Sequence, residues 1–303
     1  MKKTVISLIC AIIPCLSFCQ GISVRDLMNK WVSVVDQTAP EYHDTWMKML
    51  RLSDKHGDPD YLMSMLQLGE EADSYAILDS LDNVLKSGNT SCVDSLREVI
   101  VPVSQAMSKM ALSLVPSLQG IDIDGSVEDL ARQFEKKGWK DYWLTKFTEA
   151  ELAQAGYTLQ QLHRNNGGMI ILEGYFRRKQ SQLILWPISV EDNNVTNVAL
   201  TMEYSETNLR SFEEYDLMPF VKEYAKKYGE YSIIADSGRY EKADSYTSSY
   251  SFSPQEILFY VHFDIPSVSM RVQVSDSHRF KLIVYYMNGY NYFQSENLNN
   301  DEI

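Results

Sequence analysis

The chain has 303 residues, room for about two domains of ordinary size. Its 45% hydrophobic and 23% charged content is that of a globular protein and excludes collagen-like, coiled-coil and wholly disordered chains. Against 28 basic side chains stand 41 acidic ones, and the net charge of −13 argues against nucleic acid or an anionic membrane as partner.

Met1-Lys2-Lys3 opens the chain, followed by an apolar run from Val5 to Phe18. That run is too short to span a bilayer and has the form of a secretory signal peptide. Ser17 and Cys19 supply the small residues for a cut before Gln20, so residues 1–19 are expected to leave an exported protein, periplasmic, secreted or at the outer surface. A lipid anchor at Cys19 competes for the same segment, but Phe18 stands where such signals carry a small residue. No later stretch offers the roughly 18 apolar residues of a transmembrane helix. After cleavage Cys92 is the one remaining cysteine, unable to form an internal disulfide and expected as a small buried residue.

Residues 20–118 predict a helical domain. Val24, Leu27, Met28, Trp31, Val34 and Val35 follow helical spacing behind Ser23, and a second apolar face carries Trp46, Met49 and Leu50 up to Gly57. Further helices are expected after Asp58-Pro59-Asp60 and from Gly69 to Lys86. Val93, Leu96, Ile100, Val103, Met107, Met110 and Leu114 then step at heptad spacing, with Pro102 predicting a kink or two abutting helices.

Two α-β-β-β-β units are predicted next, over 119–210 and 211–303. Ser126 caps a helix bearing Val127, Leu130, Ala131 and Phe134 that ends at Lys136-Lys137-Gly138. A similar face, Phe220, Val221, Tyr224 and Ala225, ends at Lys226-Lys227-Tyr228-Gly229, with Ser211 to Glu214 as a capping box for an earlier turn. Strands are expected at 141–147, 169–178, 182–190 and 195–204, then at 231–242, 256–264, 268–275 and 280–287, with an edge strand at 290–293. Phe176 and Phe263 lie 87 apart and Met202 and Met287 lie 85 apart, a steady offset that indicates tandem repetition. Val198, Leu200, Met202 and Tyr204 alternate with polar residues, as do Val268, Met270, Val272 and Val274. That alternation and the short links predict an α+β fold: antiparallel sheet, helices on one face, a polar face opposite.

Gly120-Ile121-Asp122-Ile123-Asp124-Gly125-Ser126, the Lys136-to-Trp139 end and Leu172-Glu173-Gly174-Tyr175-Phe176 resemble motifs of secreted bacterial proteins with paired helix-and-four-strand units. That architecture is similar to the β-lactamase-inhibitor-protein-like and PepSY-like groups. The resemblance covers about 120 to 293 and implies a binding or inhibitory module; it assigns no functional residue.

Both units are interrupted after their first strand, at 148–168, partly helical by pattern, and at 244–254. The second insertion is Tyr- and Ser-rich, the composition of adaptable recognition loops. Tyr246, Tyr250 and Phe252 from it, with Tyr260, His262, Arg271, Gln273 and Tyr285 from the polar sheet face, form the expected contact surface for a protein, peptide or surface glycan. Asp54 to Asp60 and the trio Asp122, Asp124 and Glu128 lack the glycine and terminal glutamate of a calcium loop, so no metal is assigned. Catalytic and cofactor-binding motifs are missing. The alternative to binding is an extracytoplasmic hydrolase with a carboxylate pair in the cleft between the repeats.

Overall fold

A computed structural model describes residues 32–33, 35–56, 93–236, 238 and 247–291, with the side chains of 53–56, 93–96 and 99 excepted. The signal segment, most of the first expected helix, those expected at 58–86, Cys92, the side chains of the Asp54–Asp60 cluster, Tyr246 and the C-terminal tail lie outside the described residues. The chain divides into two compact units, Met1–Ala111 and Leu112–Ile303.

In the first unit a 3-10 turn, Pro40–Tyr42, leads into helix α1, His43–His56, and helix α2, Val93–Leu114, has all but its last three residues there. Trp46, Met49, Ile100, Val103 and Met107 are buried there. The Trp46 indole keeps its hydrogen bond inside this apolar surrounding by donating to Ser104 Oγ at 2.9 Å. Arg97 closes the outer rim through Thr38 O and an ion pair with Glu41, whose carboxyl is held below its ordinary value by a backbone hydrogen bond and then by Arg97. α2 continues through Pro102 as one helix, so the expected pair of abutting helices is not formed. The missing donor removes one bond from a ladder of 22 residues, whose buried face keeps the helix in register.

The second unit is α+β. A short hairpin, β1 (Ser117–Leu118) with β2 (Ile121–Asp122), precedes helix α3, Val127–Glu135. The hairpin turns through Gln119 and Gly120, both at positive φ, and periodicity over so short a span could not announce it. Ser126 caps α3 as expected, its side chain accepting from Asp129 N at 3.1 Å. Strand β3 is only Lys140–Asp141, after which Tyr142–Lys146 forms helix α4 where a strand to 147 was expected. The reason is local: Asp141 Oδ1 accepts from Trp143 N at 2.9 Å and caps the turn. Helices α5, Glu149–Gln154, and α6, Leu159–Asn165, follow, each with a complete capping box begun by Thr148 or Thr158.

Strands β4 (Ile170–Phe176), β5 (Lys179–Pro187) and β6 (Val195–Glu203) form a meander. The chain then passes through a helical turn, Leu209–Ser211, a π-helix, Phe212–Leu217, and helix α7, Met218–Tyr228. Asn208, not Ser211, caps this stretch, accepting from Ser211 N at 3.0 Å, so the expected capping box is replaced by an earlier cap. A second meander follows: β7 (Tyr231–Ala235), β8 (Ile257–Phe263), β9 (Val268–Val274) and β10 (Phe280–Met287). Residues 289–291 are helical rather than the start of an edge strand, because the Asn288 side chain accepts from Asn291 N at 3.0 Å.

All eight strands from β3 to β10 form one antiparallel sheet in the order β3-β4-β5-β6-β10-β9-β8-β7. The two meanders join along β6 and β10, with Leu282 opposite Met202 and Val284 opposite Leu200. One face is apolar on every long strand and is covered by α3 and α7. Leu172, Leu183, Leu200, Leu282, Met270 and Val261 lie in one core with Leu130, Phe134, Phe220 and Val221. Each such side chain contributes roughly 1.5–3 kcal/mol on leaving water. Among the described residues no helix is long and apolar enough to cross a membrane.

Candidate functional site

Period-two alternation turns the residues between these core positions onto the opposite face of the sheet. There Tyr260, Arg271, Ile283 and Thr201 stand in one cross-strand row, and His262, Ser269, Tyr285 and Ala199 in the next. Four of the expected contact residues are therefore brought together: Tyr260, His262, Arg271 and Tyr285. The Tyr260 and His262 rings stack at 6.1 Å, and the Arg271 guanidinium lies 5.5 Å from the centre of the Tyr285 ring. Burial raises the Tyr285 hydroxyl above its usual range and Arg271 opposes the shift, so the group remains a hydrogen-bond donor at neutral pH. Arg271 Nε is shielded from water without a hydrogen-bond partner.

The other expected contacts are placed differently. Gln273 is 4% exposed, and its amide donates to Gln255 Oε1 at 2.7 Å, fixing the turn before β8. Phe252 is 3% exposed and belongs to the hydrophobic core; a ring leaving the Tyr/Ser segment toward the sheet gains more by burial than in solvent. Neither presents a surface to a partner. Serines 248 and 249 also work inward, Ser248 capping a 3-10 turn (Ser249–Ser251) and Ser249 Oγ donating to His278 O at 2.6 Å. Tyr250, the other described contact residue expected from the loop, does face out, 66% exposed and stacked on His278 at 5.3 Å, at the β9–β10 hairpin rather than beside Arg271.

The same face carries more apolar surface than its polar residues announced. Ile171, Ile184 and Trp186 are half-buried on it, with Ile171 opposite Ile184. In the sequence they sit within continuous apolar runs, where alternation is masked; a half-polar partner strand is the signal that separates the faces.

Two hollows lie elsewhere in this unit. A cleft of about 360 Å³ is lined by Glu128 of α3, His163 and Arg164 of the insertion, and Glu191 and Asn193 of the β5–β6 link. His163 Nε2 is 2.8 Å from Oδ2 of Asp141, which is 2% exposed, and the Glu128 carboxylate accepts from Asn193 at 2.8 Å. A smaller hollow, about 160 Å³, lies between the first meander and the helical stretch that follows it and holds Asp216 and Glu223. Both carboxylates there are spent on cations, Glu223 on Arg177 and Asp216 on Lys179 at 3.5 Å. Asp124 accepts from Gly125 N at 2.9 Å, and no group of three or more His, Cys, Asp or Glu among the described residues is arranged to hold a metal ion. No family model, curated protein or solved structure matches this chain.

Proposed function

We propose that this chain is an exported, non-enzymatic binding protein that recognises a protein, peptide or surface glycan through the open face of its sheet, with Tyr250 at the margin. The observation that carries the reading is the cluster of Tyr260, His262, Arg271 and Tyr285, half-buried or exposed in two adjacent rows. Arg, Tyr and Trp in partly desolvated settings are the residues that dominate interface energetics, and Trp186 adds a second anchor on the same face. We further infer that 119–210 and 211–303 are two copies of one unit placed after a helical domain. Each places a helix ahead of four antiparallel strands, and the mirrored strand order is what two copies joined at their last strands would produce. The resemblance to β-lactamase-inhibitor-protein-like and PepSY-like modules belongs to the same reading.

Two measurements test it. N-terminal sequencing of the protein recovered from its native host is expected to begin at Gln20. Immobilised full chain is expected to retain a partner from the cell envelope that a Trp186→Ser/Tyr285→Ser variant of unchanged far-ultraviolet dichroism does not. Equal retention by the two chains overturns the assignment of the face.

The hydrolase alternative gains one observation, since Glu128 and Glu191 line the 360 Å³ cleft beside His163. That cleft is built by the first of the two proposed copies, and the carboxylates of the smaller hollow are ion-paired. Binding remains the better-supported reading.

A further inference from the structure

Arg271 is half-buried, its Nε is excluded from water, and no carboxylate pairs with it among the described residues. Lys281 is its diagonal neighbour on β10, since Lys281 faces Gln273 while Arg271 faces Ile283. Two cations thus stand together in a protein whose acids outnumber its bases 41 to 28. Among the described residues the nearest carboxylates by register are Glu203, beyond Lys281 on β6, and Asp236, just past the end of β7; neither forms an ion pair with Arg271. A partly desolvated guanidinium with no counter-charge is a cost to the free protein. A carboxylate arriving from outside would offset it through a planar, bidentate contact that the Tyr285 ring beneath already orients.

We propose that the surface around Arg271 and Lys281 receives a carboxylate side chain from an acidic, extended segment of a partner protein. The proposal rests on the open sheet face being the binding surface and names what that surface recognises. Charge complementarity selects the carboxylate. The neighbouring apolar surface selects a protein: Ile171, Ile184 and Trp186 are half-buried on the same face, and an acidic glycan would leave them uncovered. A strand-like segment alternating acidic and apolar residues would match both.

Isotope-labelled full chain titrated with an acetylated, amidated Glu–Leu alternating peptide tests this by nuclear magnetic resonance. The shielded Arg271 Nε–Hε signal is the probe, and the Gln–Leu peptide, oligogalacturonate and inorganic phosphate are the comparisons. The Glu–Leu peptide is expected to shift that signal saturably, to bind about tenfold more tightly than the Gln–Leu peptide, and to lose about tenfold in affinity in a folded Arg271→Gln variant. Tighter binding of oligogalacturonate or phosphate than of the peptide overturns the choice of a protein partner. An unmoved Arg271 signal overturns the site. Peptide binding that perturbs Trp186 and Tyr285 yet is indifferent to Arg271→Gln overturns this inference alone and leaves the open face as the binding surface.

Discussion

Single side chains explain why the sequence motifs look as they do. Gly174, in the Leu-Glu-Gly-Tyr-Phe stretch, lies under the Trp139 indole of the Lys-Lys-Gly-Trp stretch; a Cβ there would come within 2.8 Å of the ring. Trp139 in turn donates to Gln119 at 3.0 Å, at the turn before the Gly-Ile-Asp-Ile-Asp-Gly stretch. The motifs therefore converge on one packed indole, which spacing alone could not reveal. Gly174→Ala is expected to cost about 1–3 kcal/mol in chemical unfolding, because the strand and the ring must part. A second test concerns the buried hydroxyls of Tyr224 and Tyr286, which hydrogen-bond each other. Tyr286→Phe leaves the Tyr224 hydroxyl without that partner and should cost about 1–3 kcal/mol, whereas Tyr224→Phe/Tyr286→Phe together should cost less than the two single changes summed. Strict additivity in that cycle would mean the pair contributes nothing.

At the level of elements, strands with one apolar face and helices with a side-chain cap were legible: β6, β9 and β10 and the Ser126-capped α3 lie close to where alternation and capping put them. Elements ruled by a single local hydrogen bond were not. Asp141 converts an expected strand into α4, and Asn208 displaces the expected Ser211 cap. Half of the candidate site was legible for the same reason, since alternation finds a face but does not distinguish Gln273, which folds back on Gln255, from Arg271, which does not. The β4–β5 hairpin shows another competition. Its two turn residues, Arg177 and Arg178, have φ of 51° and 66°, a conformation that Asn or Gly adopts more cheaply. Arg177 is compensated: its guanidinium lies 4.6 Å from the Phe220 ring centre and pairs with Glu223. Among the described residues Arg178 has no such contact, so Arg178→Gly is expected to be neutral or to stabilise by up to about 1 kcal/mol, while Arg177→Gly should destabilise. Denaturant midpoints compare the two, and a stabilised Arg177→Gly would show that the ring and Glu223 contacts carry no weight.

Across the whole second unit, what the sequence could not show is how the meanders meet: offsets of 85 and 87 suggest two similar halves but leave open which strands join. The β6–β10 junction places both helices over one continuous core, and a tyrosine-rich seam runs beneath α7. Tyr224 stacks on Phe220 at 4.6 Å and lies near Tyr228 and Tyr286. Burial raises Tyr224 to about 12, and Tyr204, Tyr228 and Tyr286 are also pushed up, chiefly by burial. A phenol whose folded value exceeds its unfolded value of about 10 favours the neutral form in the native state. Its contribution is complete below about pH 10 and is lost as pH rises from there through the folded value. Each such tyrosine withdraws about 1.4 kcal/mol per pH unit across its window, so four together should collapse stability steeply in alkali. Following phenolate absorbance and far-ultraviolet dichroism in one alkaline titration checks this. The buried tyrosines should ionise only as the sheet signal is lost, in one cooperative step, whereas complete phenolate formation with the sheet intact would show that the seam is open to water.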